Sequence, residues 1–492
     1  MNTVRLDVAE YLDQYEISDV AYAVIYVDSE GFRRYRVVEP PLNEEEARLL
    51  ASLKNAVQNV GEVKNGVLRL ARERREEYLE ELVKRAAREF KIKVEERMWR
   101  KFMYYLRRDL LGYGVLDPLV RDPYIEDIHV DGPGAVYIWH SKWESLKTDI
   151  SLSAEDLDGF VSKFSSLVGK SVSYADPILE GMLPEGFRVE LAVPPVSPKG
   201  PTFVIRKYFV VPITLIDMVK MGTISSDAVA YLWLMLDYGR NIVIVGPTGA
   251  GKTTLLNALL YLVRPEAKIL TIEDTREINI VHEHWQALVT RPSRSEGVRE
   301  VSAFDLLAVA MRSRPDYVVV GEVRGEEAYV LFQAFGSGHS GATTIHAETI
   351  EDAVRRLLTR PMNVPPMLVG LAHIFIRIMR VKVGNQIVRR VVEIAENMGV
   401  SRGGRPRLHY VYRWNPERDK MEQVEESRHL ETISRTRFVP LDQLKRELER
   451  RRELISLMVE RGFSTPYVVA KIFTMYHLDP DRALEAVRMG KI

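Results

Sequence analysis

Residues Asn241–Asn257 read NIVIVGPTGAGKTTLLN. Four apolar residues, Ile242 to Val245, run into Gly246-Pro247-Thr248-Gly249-Ala250-Gly251-Lys252-Thr253, with Thr254 next. This is G-x-x-x-x-G-K-T between a strand-like and a helix-like run, the context that separates a phosphate loop from a chance match. Glycines let the backbone curl so that its N–H groups converge on phosphate oxygens at the positive end of the following helix. Lys252 is expected to reach the β- and γ-phosphates, and the Thr253 hydroxyl to help hold Mg²⁺. The bland alternative, a glycine turn between a strand and a helix, leaves the lysine and the threonine without a purpose.

Outward from this loop, strand-like runs fall at Asn241–Val245, Lys268–Ile272, Tyr317–Gly321, Ala342–Ile345 and Ile374–Met379. Helix-like runs fall between them at Gly251–Leu262, Ser302–Arg312, Glu326–Phe335 and Glu351–Leu358. Such alternation implies a mostly parallel sheet with helices on both faces. Ligands of these sheets bind off the carboxyl ends of the strands. Three polar clusters stand at those ends. Ile272-Glu273-Asp274-Thr275-Arg276-Glu277 supplies carboxylates directly after a strand. In RPDYVVVGEVR, Arg314–Arg324, an apolar strand delivers Glu322. Hydrolysis needs one carboxylate to orient or deprotonate water and another for the Mg²⁺ shell. Alone, either cluster also fits a helix cap or a loop salt bridge. The third, GSGHSGATTIHA, sets His346 at a strand end, able to sense a γ-phosphate or position water, whereas His339 reads as structural. No third ligand makes the two histidines a metal site, and Mg²⁺ prefers oxygen.

Before the loop, Ala21–Val27 and Arg34–Val38 read as strands flanking a turn, followed by the helical NEEEARLLASL. Met1–Tyr15 is compatible with an amphipathic helix presenting Val4, Val8 and Tyr11, more simply packed on its own domain than on a membrane or partner. Val67–Leu111 reads as one long helix laced by Arg–Glu pairs and stopped at Gly112 and Gly114; its interleaved glutamates argue against a basic patch for nucleic acid or anionic lipid. A second unit of short strands starts near Asp117, with a helix at Ser153–Gly169 capped by Ser153 and Asp156. Arg188 and Arg206 lie on its last strands, and Pro212 with Thr214 marks a hinge. The expected division is therefore 1–111, an α+β region; 112–211, a second α+β domain; and 212–492, the loop-bearing domain closed by charged helices at Leu441–Glu460 and Pro466–Met489.

The 492 residues carry 69 Lys+Arg against 69 Asp+Glu, unlike the basic balance of a nucleic-acid coat. The absence of cysteine excludes disulfides and cysteine-ligated zinc. No apolar stretch approaches the roughly 20 residues of a bilayer-spanning helix, and the acidic start is not a secretory signal. A cytoplasmic protein with a peripheral membrane role is expected.

The chain resembles the secretion and type IV pilus assembly ATPases, GspE/PilB-like with the conjugation ATPases as relatives, and within them the archaeal branch that includes the archaellum motor. GPTGAGKTTLLNAL is similar to that family's Walker A, TIEDTREI to its aspartate box, RPDYVVVGEVRGEEA to its Walker B and GSGHSGATTIHAET to its histidine box. LDPLVRDPYIEDIHVDGPGAVYI and GPTFVIRKY are similar to its N-terminal domain, which is PAS-like in the family. The four-cysteine zinc insert of many bacterial secretion members is absent. The resemblance implies a homohexameric ring with a RecA-like P-loop core, using ATP and Mg²⁺, whose N-terminal domain moves about a linker as nucleotide turns over. It implies catalytic roles for Glu273 and Glu322, the latter on Mg²⁺ through water, and nucleotide contacts from Arg188 and Arg206. It implies a polytopic membrane platform as partner, pilin-like subunits indirectly, and no nucleic acid. Two other readings stay open: a nucleic-acid-translocating hexameric ATPase, disfavoured by neutral charge and the lack of an aromatic–basic stripe, and a nucleotide-gated scaffold with little turnover.

Overall fold

The strand runs before residue 40 join one nine-stranded sheet with strands from beyond residue 120. The computed structural model describes residues 8–60, 72–207, 212–291, 299–384, 386–401 and 404–492, and the chain divides into two compact units, Met1–Tyr208 and Phe209–Ile492. The first holds β1 (Val8–Glu16), β2 (Tyr22–Asp28), β3 (Arg33–Val38), α1 (Glu44–Val60), α2 (Arg72–Glu89), α3 (Glu96–Leu106), α4 (Asp117–Arg121), β4 (Ile125–Val130), β5 (Gly134–His140), β6 (Glu144–Leu152), α5 (Ala154–Val168), β7 (Ile178–Met182), β8 (Arg188–Ala192) and β9 (Thr202–Arg206). The sheet order is β1-β2-β3-β6-β5-β4-β9-β8-β7. It runs through the position of residue 111, because β3 pairs in parallel with β6 at Arg34–Lys147 and Tyr35–Thr148. Ile25, Tyr35, Ile128, Ile138, Phe164 and Phe203 share the core of the sheet, whereas Leu53, Leu79, Val83 and Phe102 make a separate core among α1–α3.

In the first unit, two helical expectations need correction. Val8–Glu16 is a strand, antiparallel to β2, and the Tyr15 hydroxyl donates to buried Asp122 at 2.7 Å. That pairing supplies a backbone partner and a core contact that a lone surface helix lacks; Val4 lies outside the described residues. The expected helix over Val67–Leu111 is broken in two. Lys91 takes φ +54° and the Ile92 N–H turns back to the Ala87 carbonyl, so α2 ends in a left-handed cap without glycine. Val67 lies outside the described residues. The helix expected at Ser153–Gly169 forms with Ser153 and Asp156 in a reciprocal capping box and Gly169 as its left-handed end.

After α3 comes a π-helical turn, Arg107–Leu111, and then Gly112, whose place is set by close approach. A Cβ there would lie 1.9 Å from Oδ1 of buried Asp117 and 2.9 Å from the Arg108 carbonyl. Gly112→Ala is therefore expected to destabilise the first unit by about 3 kcal/mol, the upper part of the overpacking range, read as a lower urea midpoint.

The second unit begins with α6 (Leu215–Lys220) and α7 (Ser226–Asp237), then β10 (Ile242–Gly246), α8 (Lys252–Leu259), β11 (Ile269–Glu273), β12 (Trp285–Val289), α9 (Ala303–Ala310), β13 (Tyr317–Val320), α10 (Glu327–Gly336), β14 (Ser340–His346), α11 (Ile350–Leu358) and α12 (Pro366–Val369). It continues through β15 (Ile374–Val383), β16 (Gln386–Val400), β17 (Pro406–Asn415), β18 (Lys420–Gln423), α13 (Arg428–Arg437), α14 (Leu441–Arg461), α15 (Pro466–Leu478) and α16 (Pro480–Met489). Six strands, β12-β11-β13-β14-β10-β15, are parallel. The long β16, β17 and β18 extend them antiparallel, an extension the motifs do not signal.

Successive residues of the parallel strands enter opposite cores. Ile242 and Ile244 pack with α7, α8 and the C-terminal helices, while Val243 and Val245 pack with α9, α10 and α11. A sheet buried on both faces explains why its strands read as unbroken apolar runs. The fold is α/β, a RecA-like P-loop core preceded by an α+β unit. The C-terminal stretch read as one helix is two, because Pro480 cannot continue α15 and Asp479 caps α16.

Candidate active site

At the carboxyl end of β10 the chain turns through Gly249 at φ +73° and Gly251 at φ +94° before entering α8. Both values lie in the left-handed region, open to glycine at no steric cost. Gly246 is fixed for another reason: a Cβ on it would come within 2.3 Å of the Ile378 carbonyl oxygen. Lys252 is only 9% exposed, and its Nζ donates to the Pro247 carbonyl at 3.1 Å. Burial lowers its pKa; Glu322 opposes that shift, Arg324 adds to it and Glu277 opposes it. Thr253 and Thr254 follow, half-buried in the first turn of α8.

Glu273 ends β11, two strands away from β14, and is 4% exposed. Its Oε1 accepts the N–H groups of Glu277 and Ile278 at 2.9 and 2.8 Å. Oε2 is buried with no hydrogen-bond partner. Burial raises the carboxyl to about 7 against the pull of those two amides, with Glu277 adding repulsion. Gly321 makes room for this side chain, since a Cβ there would lie 3.1 Å from Cγ of Glu273. Glu322 comes next, bound by Arg324 Nη2 at 2.6 Å. The Walker B end is stitched to β14: Thr344 Oγ1 donates to the Gly321 carbonyl at 2.8 Å, and the Val323 N–H to the Thr344 carbonyl at 3.0 Å.

His346 is the register partner of Gly246 in the β10–β14 pair, and its Nδ1 lies 3.3 Å from Thr248 Oγ1. The P-loop, Glu322 and His346 are thus brought to one edge of one sheet. His339 sits at the other end of β14 with Nδ1 2.8 Å from the Pro315 carbonyl, a structural contact. Arg188 and Arg206 belong to the first unit, as directly opposed partners on β8 and β9. Arg188 contacts Glu180 and Glu190, and Arg206 donates to Asp127 at 2.8 Å. Residues 208–211, just before the expected hinge at Pro212 and Thr214, lie outside the described residues.

Motif reading missed the groups that hold the motifs in place. The amides of Glu277 and Ile278 carry no side-chain signature. Arg389 on β16, whose Nε donates to the Gly249 carbonyl at 3.2 Å, lies beyond the last strand read from the sequence.

The residues fit a nucleoside triphosphate with a divalent cation. The glycine positions form a cradle, a buried ammonium faces its own loop carbonyl, and a buried carboxylate oxygen at the carboxyl end of β11 lacks a partner. Lys252 and the loop amides would hold phosphates; Thr253 and Glu322 would hold the cation shell.

A family model described as Type II/IV secretion system protein matches residues 111–446. An uncharacterised protein of Methanocaldococcus jannaschii is 35% identical over an alignment of 499 positions, which covers 94% of this chain and 88% of that protein. A putative conjugal transfer protein of Mycobacterium tuberculosis is 30% identical over 330 residues, 64% of this chain and 91% of that protein. Among solved structures, the VirB11 ATPase of the Brucella suis type IV secretion system, in complex with sulphate, matches at 26% identity with a TM-score of 0.30, covering 57% of this chain and 92% of that one. The matched span takes in the Walker A, aspartate, Walker B and histidine boxes together, and the chain belongs to the Type II/IV secretion system protein family.

Proposed function

We propose that this protein is a Mg²⁺-dependent ATPase that works as a homohexameric motor for the assembly or secretion of pilin-like subunits. The observation that carries the reading is Glu273: a buried carboxyl at a strand end, held by two amides through one oxygen and without a partner on the other. A carboxyl raised to about 7 is matched to taking a proton from water near neutral pH. Lys252 would bind the β- and γ-phosphates from inside the loop, while Thr253 and Glu322 would hold the cation, Glu322 through water. The cation, when bound, neutralises charge on the phosphate oxygens. His346 and Thr248 stand together at the loop, so His346 is suited to report on the γ-phosphate side.

Arg188 and Arg206 are proposed to close on the nucleotide from the first unit, whose sheet joins strands on both sides of residue 111, moving about the linker against the second. Closure by arginine makes hydrolysis depend on domain position, which turns chemistry into movement. No described helix is long and apolar enough to cross a membrane. By the family resemblance, the motor is proposed to act from the cytoplasmic face on a polytopic platform protein, with pilin-like subunits as indirect partners and no nucleic acid.

The test is turnover of ATP by the full-length protein with and without Mg²⁺, alongside Glu322→Gln. Glutamine keeps the shape and removes the charge. A fall of about 10²–10³ in kcat with ATP still bound is expected, the scale of losing an electrostatic partner of the reacting groups. Wild-type turnover in Glu322→Gln would remove that residue from the site.

A further inference from the structure

The hairpin of β15 and β16 passes beside the phosphate loop and brings a charge to it. A Cβ on Gly251 would lie 3.2 Å from Cδ of Arg389, so the arginine stem packs directly on the loop backbone. Arg389 Nε donates to the Gly249 carbonyl at 3.2 Å. Its neighbour Arg390 is buried and anchors the strand. Arg390 Nε and Nη2 donate to the two carboxylate oxygens of Asp419, each at 2.7 Å, and Nη1 to the Met221 carbonyl at 3.0 Å, just past α6. The Val391 N–H adds a bond to the Thr223 carbonyl at 2.8 Å. The residue that grips the loop is thus held next to a fixed point in the second unit.

Peptide geometry gives the grip a consequence. The Gly249 carbonyl and the Ala250 N–H belong to one trans peptide and point in opposite directions. An oxygen held on the Arg389 side turns the Ala250 N–H to the other side, where it donates to the Pro247 carbonyl at 3.3 Å. The same Pro247 carbonyl accepts Lys252 Nζ at 3.1 Å. One guanidinium outside the loop therefore constrains the peptide orientations that hold the lysine inside it.

We propose that Arg389 is a positioning residue for the phosphate loop: from β16 it holds the Gly249 carbonyl and keeps the loop amides oriented for a nucleoside triphosphate. The inference rests on reading Gly246–Thr253 as the phosphate site. Pre-orientation acts on binding more than on chemistry, because a loop ordered in advance leaves less ordering to be done by the ligand.

The test uses full-length Arg389→Ala and Arg389→Lys. In the nucleotide-free protein, backbone amides of residues 248–251 should exchange hydrogen about tenfold faster in Arg389→Ala, the scale of losing one charge-assisted hydrogen bond. KM for ATP should rise about tenfold while kcat stays within about twofold. Arg389→Lys, which keeps the charge but not the planar fork, should recover most of both effects. Unchanged exchange overturns the inference, and so does faster exchange with an unchanged KM. Equal loss of activity in both variants with a shared fall in melting temperature also overturns it, since that is a packing defect. If the wild type fails to hydrolyse ATP, the motor reading falls, and exchange in the nucleotide-free variants still decides whether Arg389 orders the loop.

Discussion

Lys252→Ala is expected to weaken ATP binding by about 10²–10⁴ and to leave no measurable turnover. The ammonium is buried within its loop, on the Pro247 carbonyl, and Glu322 is the strongest charge favouring its protonated form. Burial has already stripped much of its water, so phosphate oxygens meet a donor with little hydration left to lose. Removing one partner of such a desolvated charge pair costs about 3–5 kcal/mol, which sets the range. Folding should be nearly unaffected, because the lost hydrogen bond and packing are offset by removal of a charge whose burial is unfavourable. Titration with a fluorescent ATP analogue, beside a melting curve, checks both halves. Tight binding by the variant would mean that the loop amides alone carry the phosphates.

Glu273→Gln is expected to lose activity and gain stability together. As a base, its carboxylate should contribute about 10²–10⁴ to turnover, which glutamine cannot supply. As a buried group it acts the other way on folding. Its carboxyl is raised from 4.5 to about 7 in the folded chain, so between those values the folded state holds the proton more tightly than the unfolded state. Stability therefore falls as pH rises from about 4.5 to about 7, and the whole penalty is present above that. At about 1.4 kcal/mol per pH unit it is on the order of 3 kcal/mol. A neutral glutamine removes it, so the variant should be more stable than the wild type at pH 8 and nearly equal to it at pH 4.5. Urea midpoints at the two pH values give the answer. Destabilisation at pH 8 would show that the ionised carboxylate is held by more than its two amides.

What the sequence made legible follows from what each position has to do. The phosphate loop demands residue types at fixed spacing, so Gly246, Gly251, Lys252 and Thr253 announce themselves. Strands covered on both faces announce themselves too, as in the Tyr317–Val320 run. The supports of Glu273 stay silent because any residue can offer a backbone N–H. The break between α2 and α3 stays silent because Lys91, and no glycine or proline, takes the left-handed turn. β1 fits two periods at once: Val8, Tyr11 and Tyr15 suit a helical stripe, and pairing with β2 decides the matter. Arg389 stands on β16 opposite Arg380 of β15, past the last strand run that the sequence shows, where no motif directs attention.

The pairing of β3 with β6 also bears on the chain's behaviour at high concentration. Without β1–β3, β6 would be the open border of the sheet, offering unpaired amides and carbonyls to any other extended chain. The added strands move that border outward to β1. There the pairing is interrupted by register shifts between Val8 and Glu10 and between Tyr11 and Asp13, and the strand carries Glu10, Asp13 and Glu16. Irregular, negatively charged edges are poor templates for another strand. The segment preceding the family-matched region thus makes one of the sheet's two borders a poor template for another copy of the chain.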